Sequence, residues 1–575
     1  MRTLTTDLKT NWPVGQASPS WVDGGPASVA IDGNIVNYRD VARAIGLRGD
    51  EPLTLILSEL ISRRGLSGLG QLRGSFAAMI WENERLTLVR DPAGRRPLFY
   101  RIDDGGLRVA TEPLHLHVAG RGIQHRWLVR RLLLLPERDD ITAFGEVRRV
   151  MPGEALCFEA PSWPASRTRW APQFESIIHM STDEAADRAT ALLDVAIARI
   201  GDGRERLASQ LSSGLDSAIL LSRLTAHDNL KVDWYTASPG GHLPPDLPVD
   251  DEWEAARQHA AALDAVPRRV SGPPSGLSDG AAYFSRSHAP ILNYWNLGWM
   301  ESLVESAADD GHDVMIEGLV GNETLTFAGH GPLAARAAGR HWVQFVWEAL
   351  KSRGKGTRTA LRRDLPAPWR QIRSRAAQDE FVGSLYLNRS SEALQSSMAD
   401  ERRLGKAPES VDSIDDPRAR YFEHLFHQDD ALYRRYLRGK YGVELHDPFA
   451  DPDVMDFAFR LAPEAFGASG SRALGFAMID DRIDPVSVHE GARASQGDHW
   501  IVAARSGVAL ARDILEWAAS TDGIADLVDT QRLKREVDSL ASGHSGAEFC
   551  PDRFRNGALR TLGTLAFARW VEEAA

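Results

Sequence analysis

The stretch Gln210-Leu211-Ser212-Ser213-Gly214-Leu215-Asp216-Ser217 gathers residue types suited to handling a phosphate. A β-rich run, Arg206 to Leu211, leads into it, and the helix-like run Ala218 to Leu224 leaves it. Strand, Gly/Ser turn and helix N-terminus is the order in which a fold offers backbone N–H groups to an anion. Gly214 lets the backbone come close, and the hydroxyls of Ser212, Ser213 and Ser217 are donors. Asp216 does not suit a simple anion cradle, because a carboxylate repels phosphate. It suits a site where it holds Mg²⁺, which then bridges to the phosphates. The plainer alternative is a Ser/Gly turn with a helix cap.

The elements around this stretch must position it. Ser181 and Glu184 form a capping box ahead of a helix whose apolar face is Ala185, Ala189, Leu192, Leu193, Ala196, Ile197 and Ile200. After the Ser/Gly loop, Val232 to Ala237 reads as a buried strand, and Asp250-Asp251-Glu252 opens a helix running to about Leu263. Asp313 to Ile316 is a further strand, followed by Glu317-Gly318-Leu319-Val320-Gly321-Asn322-Glu323. Strands alternating with helices predict a doubly wound parallel sheet, with ligands at the carboxyl ends of its strands. Farther on, Tyr421 to Tyr441 and Asp456 to Leu461 read as helices, and Lys351 to Arg375 is strongly basic.

Before Trp170 the pattern is different. A helix over Leu53 to Ser62 is followed by strands at Phe76 to Trp81 and Leu86 to Arg90, then by Leu107 to Glu112. A Pro-rich crossing, Ala160 to Pro172, marks the boundary between a domain at residues 1–172 and one at 173–575. Cys157 lies in a strand-like run, Ala155 to Phe158, and reads as a small buried apolar residue.

Bulk properties set limits. The chain has 575 residues, enough for at least two domains. A net charge of -12 argues against general nucleic-acid binding. Two cysteines, Cys157 and Cys550, offer neither a disulfide framework nor zinc spacing, which points to a reducing cytoplasm. The start has no apolar signal core, and the most apolar run, Leu132 to Leu135, is too short to span a bilayer.

The Ser/Gly stretch resembles the pyrophosphate loop Ser-Gly-Gly-Leu-Asp-Ser of ATP-pyrophosphatases of the asparagine synthetase type, with Ser213 the one departure. Leu72 to Ala77, Arg90-Asp91-Pro92-Ala93-Gly94-Arg95-Arg96-Pro97-Leu98, Val109 to Glu112 and Val147 to Gly153 resemble the N-terminal glutaminase-type domain of the same superfamily. That resemblance implies an N-terminal-nucleophile α/β/β/α sandwich joined to a C-terminal doubly wound ATP-binding domain. It implies ATP and Mg²⁺ as cofactors, with nucleotide contacts from Leu211, Ser212, Ser213, Gly214, Leu215, Asp216, Ser217 and Gly318. Glutaminase chemistry is expected to be absent, because Met1 is followed by Arg2 where it needs a cysteine.

Departures from the superfamily pattern narrow the chemistry. The aspartate that shares the metal with Asp216 falls on Asn322, and the acid/base glutamate or tyrosine falls on Leu319, which cannot transfer a proton. Glu317 and Glu323 are the nearby substitutes. Arg493 lies where the family carries a lysine over the α-phosphate, and it could stabilise developing negative charge but not act as a base. His446 replaces an arginine in the run Tyr441 to Asp451 and reads as a packed loop histidine. The basic run 351–375 is either a solvated face or a docking surface for an acidic peptide.

The Tyr-Gly-x-Glu-x-x-Asp-Pro-Phe-x-Asp run and Arg493-x-x-Gln496-x-x-x-Trp500 are most similar to lasso peptide cyclases. This implies ATP-dependent adenylation of an Asp or Glu side chain in a precursor peptide and attack by the peptide's own α-amine, closing a macrolactam and releasing AMP and pyrophosphate. A leader peptidase and a leader-binding protein are implied partners. The alternatives are a β-lactam or carbapenam-type synthetase, an ammonia-dependent asparagine synthetase, and a non-catalytic nucleotide-binding scaffold.

Overall fold

A computed structural model describes residues 9–12, 27–83, 85–103, 106–134, 139–159, 165–169, 176–227, 229–239, 251–290, 293–327, 386–388, 390–392, 394–396, 398–399, 430–467, 471–490, 500–541 and 554–574. In chain order the first part contains β1 (Lys9–Trp12), β2 (Ser28–Ile35), α1 (Tyr38–Ala44), α2 (Leu53–Arg64), β3 (Gly74–Glu82), β4 (Arg85–Arg90), β5 (Phe99–Asp103), β6 (Gly106–Ala110), α3 (His125–Leu132), β7 (Arg148–Arg149), β8 (Glu154–Glu159) and β9 (Ala165–Arg169). They make two antiparallel sheets, in the orders β2-β3-β4-β8-β9 and β1-β6-β5-β7.

Period-2 alternation builds the layers. In β3, Phe76, Ala78 and Ile80 pack with Val41, Ile56 and Leu60 of α1 and α2. Their neighbours Ala77, Met79 and Trp81 face the other way, into a core shared with Tyr100 and Val109 of the second sheet. The far side of the second sheet, through Phe99 and Ala110, packs on Leu128 and Val129 of α3. Helices, sheet, sheet and helix is the sandwich that the resemblance implied.

The strand β9 lies inside the stretch read from sequence as a Pro-rich crossing. It pairs with β8, Arg167 opposite Leu156 and Thr168 opposite Ala155. The prolines flanking it hid a strand short enough to fit between them. The proposed boundary at 172 falls outside the described residues. Cys157 is half-buried rather than buried, on β8 between Thr87 and Ser166.

The second part runs α4 (Thr182–Gly201), β10 (Arg206–Gln210), α5 (Leu215–Thr225), β11 (Lys231–Ala237), α6 (Trp253–Ala262), β12 (Pro267–Val270), α7 (Gly280–Ser287), α8 (Leu297–Asp309), β13 (Val314–Ile316), α9 (Ala431–Tyr441), β14 (Glu444–His446), α10 (Pro452–Arg460) and, near the C-terminus, α11 (Arg560–Ala574). Its five strands are all parallel, in the order β12-β11-β10-β13-β14. Both faces are covered. Leu207, Trp234 and Ile316 pack with α4, α5 and α10, whereas Ala208, Tyr235 and Met315 pack with α8. The capping box closes as expected, the Ser181 N–H donating to Glu184 at 3.0 Å and the Glu184 N–H to Ser181 Oγ at 3.3 Å. The helix α10 starts at Pro452 rather than Asp456, because Asp451 caps it and Pro452 is pre-set for the first helical position. Of the Tyr421 to Tyr441 helix, the described part is α9.

Charged side chains lock the two parts together. Arg96 Nη2 donates to Glu444 Oε2 at 2.7 Å, and its Nη1 lies 3.6 Å from Asp32. Arg438 donates to Asp32 at 3.0 Å. Arg73 grips Asp453 through two hydrogen bonds, at 2.9 and 2.5 Å. The Arg96 and Asp32 side chains are both 3% exposed, so removing one partner strands a buried charge. Arg96→Met is expected to lower unfolding stability by about 3 kcal/mol, read as a shift in denaturant midpoint. A midpoint equal to that of the unsubstituted protein would show that this lock contributes nothing.

Candidate functional site

The strand order turns back between β10 and β13. These neighbours pair in parallel, Ala208 with Met315 and Ser209 with Ile316. Their carboxyl ends therefore open side by side into a crevice, where a doubly wound sheet binds ligands. The loop Leu211–Gly214 leaves β10, and the loop Glu317–Glu323 leaves β13.

The first loop is anchored at both ends. The Leu211 N–H donates to the Tyr235 carbonyl at 2.9 Å, and the Ala218 N–H to the Gly214 carbonyl at 3.0 Å. Leu211 and Leu215 bury their side chains beneath it, so toward a ligand they offer backbone only. The hydroxyls of Ser212 and Ser217 lie 2.8 Å apart, and the Gly214 N–H donates to Ser212 Oγ at 3.2 Å. Gly214 precedes α5, whose first N–H groups, on Leu215, Asp216 and Ser217, have no acceptor within the helix. These are the donors the loop presents to an anion.

Ser213 departs from the expectation that it donates to phosphate. It is buried, and both its N–H and its hydroxyl donate to Glu252 Oε2 at 3.1 Å. Glu252 is itself buried, and a buried carboxylate needs such donors. Its neighbour Asp251 accepts from Ser238 and from the Trp253 N–H, each at 2.9 Å, and pairs with Arg269 at 2.6 Å. The acidic pair before α6 therefore shapes the crevice wall as well as starting a helix.

Asp216 stands at the junction of the two loops. The Thr326 hydroxyl donates to its Oδ1. Gly321 passes so close that a Cβ there would sit 2.3 Å from Asp216 Oδ1, and one on Gly318 would sit 3.3 Å from Asp216 Cβ. Asn322 follows directly and is exposed. Among the described residues no cluster of three or more His, Cys, Asp or Glu could hold a metal. One carboxylate, one amide oxygen, waters and nucleotide phosphates still make a donor set that suits Mg²⁺.

The candidate acid/base residues separate. Glu317 is buried, accepts from Arg434, and its N–H donates to the His446 carbonyl at 2.9 Å. It is anchored in a charged cluster. Glu323 is half-buried, its N–H donating to the Val320 carbonyl at 3.0 Å. Leu319 is 57% exposed, a large apolar side chain on the loop that carries Asn322 and packs against Asp216. Arg493, Gln496 and the basic run 351–375 lie outside the described residues.

Asp447 is the residue that sequence reasoning left without a role. Its Oδ2 accepts from the Val320 N–H at 2.8 Å, and its Oδ1 from the Phe449 N–H at 3.0 Å. Arg95 Nη2 lies 3.5 Å from its Oδ2. Burial pushes its pKa up to about 7, Glu317 adding to the shift and Arg95 opposing it. The signal was the Asp-Pro-Phe triplet directly after β14, a turn-former whose carboxylate can bond backbone. His446, beside it, is buried against Asn34 Nδ2 at 3.0 Å from its Nε2. Burial pushes its pKa down to about 4, so it is neutral at pH 7.

The asparagine synthase family model matches residues 188–545, more than half of the chain. The chain is a member of the asparagine synthase family. A glutamine amidotransferase domain model matches residues 6–118. Among curated proteins the chain is similar to amidase chyE of Penicillium rubens, 35% identical over 21% of this chain and 18% of that protein. It is also similar to amidase chry2 of Gibberella zeae, 30% identical over 23% of this chain and 20% of that protein. The match spans about a fifth of the length of these relatives. Among solved structures, a glutamine phosphoribosylpyrophosphate amidotransferase from B. subtilis complexed with ADP and GMP is 16% identical, with a TM-score of 0.20 over 46% of this chain and 48% of that one. A structure of an allosteric regulatory enzyme of purine biosynthesis gives the same identity and TM-score over 48% and 61%. Scores that low carry no weight for this fold. No described helix is long and apolar enough to cross a membrane.

Two measurements test the site as built. Gly321→Ala is expected to displace the Asp216 carboxylate and weaken ATP·Mg²⁺ binding roughly tenfold by calorimetry, leaving the melting temperature near that of the unsubstituted protein; undiminished affinity would separate Gly321 from the nucleotide site. His446 binds protons less readily folded than unfolded, so the stability it contributes is full above pH 6.5 and is lost as pH falls toward about 4. His446→Gln should remove that acid-side loss, about 2 kcal/mol at pH 5, seen as a flatter profile of unfolding midpoint between pH 7 and 5.

Proposed function

We propose that this asparagine synthase family member is a lasso peptide cyclase, a macrolactam synthetase. It uses ATP to adenylate an Asp or Glu side chain of a precursor peptide, releasing pyrophosphate, and the peptide's N-terminal amine then displaces AMP from the acyl-adenylate to close the ring. The observation that carries the reading is Leu319, exposed on the loop beside Asp216 where the family's acid/base residue falls. An apolar side chain there offers contact to a substrate but no proton transfer. The nearest carboxylate on the same loop, Glu317, is held by Arg434.

A position at which a base is replaced by leucine favours a nucleophile that needs none there. A peptide α-amine, with a pKa of about 8, is already partly neutral at pH 7 to 8, whereas a lysine amine near 10.4 is not. Making AMP the leaving group removes the other obstacle, since a bare carboxylate is inert to amines. The residues then have positional tasks. The amides of Leu215, Asp216 and Ser217, with the Ser212 and Ser217 hydroxyls, would hold pyrophosphate oxygens. Asp216 and Asn322 would hold Mg²⁺, which supplies charge shielding on the phosphates. Holding amine and acyl carbon together replaces a bimolecular encounter. A leader peptidase and a leader-binding protein are the proposed partners, supplying a peptide with a free N-terminus.

The test is incubation with ATP·Mg²⁺ and linear peptides bearing a free N-terminus and an internal Asp or Glu, reading nucleotide products and peptide mass together. AMP with loss of one water from the peptide is expected. Asp216→Ala is expected to abolish AMP formation while leaving the fold intact by circular dichroism. Turnover retained in a folded Asp216→Ala protein would remove Asp216 from the metal site, and AMP released with no peptide change would point to a different acceptor.

A further inference from the structure

A cavity of about 430 Å³ lies between the sandwich and the parallel-sheet part, next to the loop that follows β13. Aromatic side chains from both parts line it: Trp127 and Phe144 on one side, Tyr283, Trp299 and Tyr433 on the other, with Phe567 of α11. Glu317, Leu319 and Arg434 also line it, so it reaches the loop that meets Asp216. A single water fills about 30 Å³, and an apolar cavity of roughly 150 Å³ accommodates benzene. The volume is therefore not matched to a small nucleophile. It falls in the range of roughly 300–1,000 Å³ of sites that take an organic ligand, which concentrate at domain interfaces.

Two further observations bear on what enters. Leu319 keeps more than half of its surface exposed and lines this cavity, an arrangement that gains when an apolar group covers it. Tyr433 has a buried hydroxyl with no hydrogen-bond partner among the described residues. A buried donor left unpaired is destabilising until an acceptor reaches it. A large apolar side chain accompanied by a backbone carbonyl satisfies both.

We propose that this cavity is a substrate subsite that receives a large apolar or aromatic residue of the peptide, selecting peptides that carry one near the reacting carboxylate. The inference rests on the cyclase reading for the identity of the peptide, but the site itself is testable without it. The probe is N-acetyl-tryptophanamide, which carries an indole and peptide carbonyls, titrated calorimetrically into the full chain. Two filled variants, Ala143→Phe in the sandwich and Ala289→Phe in the parallel-sheet part, each add a ring to the cavity lining. Saturable binding that weakens by about tenfold or more in both variants, with ATP affinity unchanged as the check on folding, supports the subsite. No saturable binding, or binding indifferent to both variants, overturns it.

A second arm uses peptides that differ at one position, Trp against Ala. The KM advantage of the Trp peptide is expected to be about tenfold and to vanish in the filled variants, while kcat for the Ala peptide is unchanged. Equal KM for the two peptides in the unsubstituted protein overturns the selective role. If no peptide yields AMP, the cyclase reading falls, and the N-acetyl-tryptophanamide titration alone decides for or against the cavity as a site.

Discussion

The buried guanidinium of Arg90 organises the turn on which the rest depends. It donates to the carbonyls of Arg96 and Gly94 at 2.6 Å and of Val150 at 3.0 Å. Asp91, next along, accepts the N–H groups of Arg95 and Arg96, each at 3.1 Å. Thus closed, the turn presents two arginines to the other half of the molecule. Arg96 meets Glu444, and Arg95 meets Asp430 at 2.7 Å and Asp447 at longer range. Asp447 in turn holds the Val320 N–H, which bends the loop that packs Gly321 on Asp216. A path of charge and hydrogen bonds thus links the sandwich to the loop beside Asp216.

Such buried ion pairs are poor sources of net stability. Each charge gives up hydration, and attraction between partners recovers that loss only with good geometry. What they supply here is discrimination between relative positions of the halves. A shift of an ångström or two would leave Glu444, Asp32 and Asp447 buried opposite nothing. The upward shift of Asp447 to about 7 reflects that tension, since burial and Glu317 push against Arg95 and Arg434. The sandwich therefore has a mechanical part in shaping the crevice, independent of any chemistry of its own.

Much of this was readable from the chain. The β10 loop, the α4 capping box and the alternation in β3 are local signals, set by residue type and spacing within a few positions. The metal role read for Asp216 came from an aspartate out of place in an anion cradle, and that of Asn322 from the family resemblance alone. What escaped was long-range. Nothing near Ser213 announces that Glu252 will satisfy its amide and hydroxyl. Asp447 gives only a turn signal, because its loop-shaping contacts reach back to Val320 and Arg95. The strand β9 hid between prolines, and α10 began at an Asp-Pro pair that reads equally well as a turn. The cavity had no sequence signature, because its wall is assembled from residues scattered between Phe99 and Phe567.

Neighbouring strands of a sheet run about 4.8 Å apart, and β10 and β13 keep that spacing up to the point where their loops begin. The second loop leaves close to the start of α5, and it is there that space for a side chain runs out. Glycine at 318 and 321 answers to the side chains of α5, since a Cβ there would meet Leu220 at 3.1 Å and Asp216 at 2.3 Å respectively. The backbone pitch acts as a ruler, limiting how far the gap between the two loops can be widened or narrowed by substitution. Beyond the ruler's edge, in the walls of the cavity, side chains have space to differ.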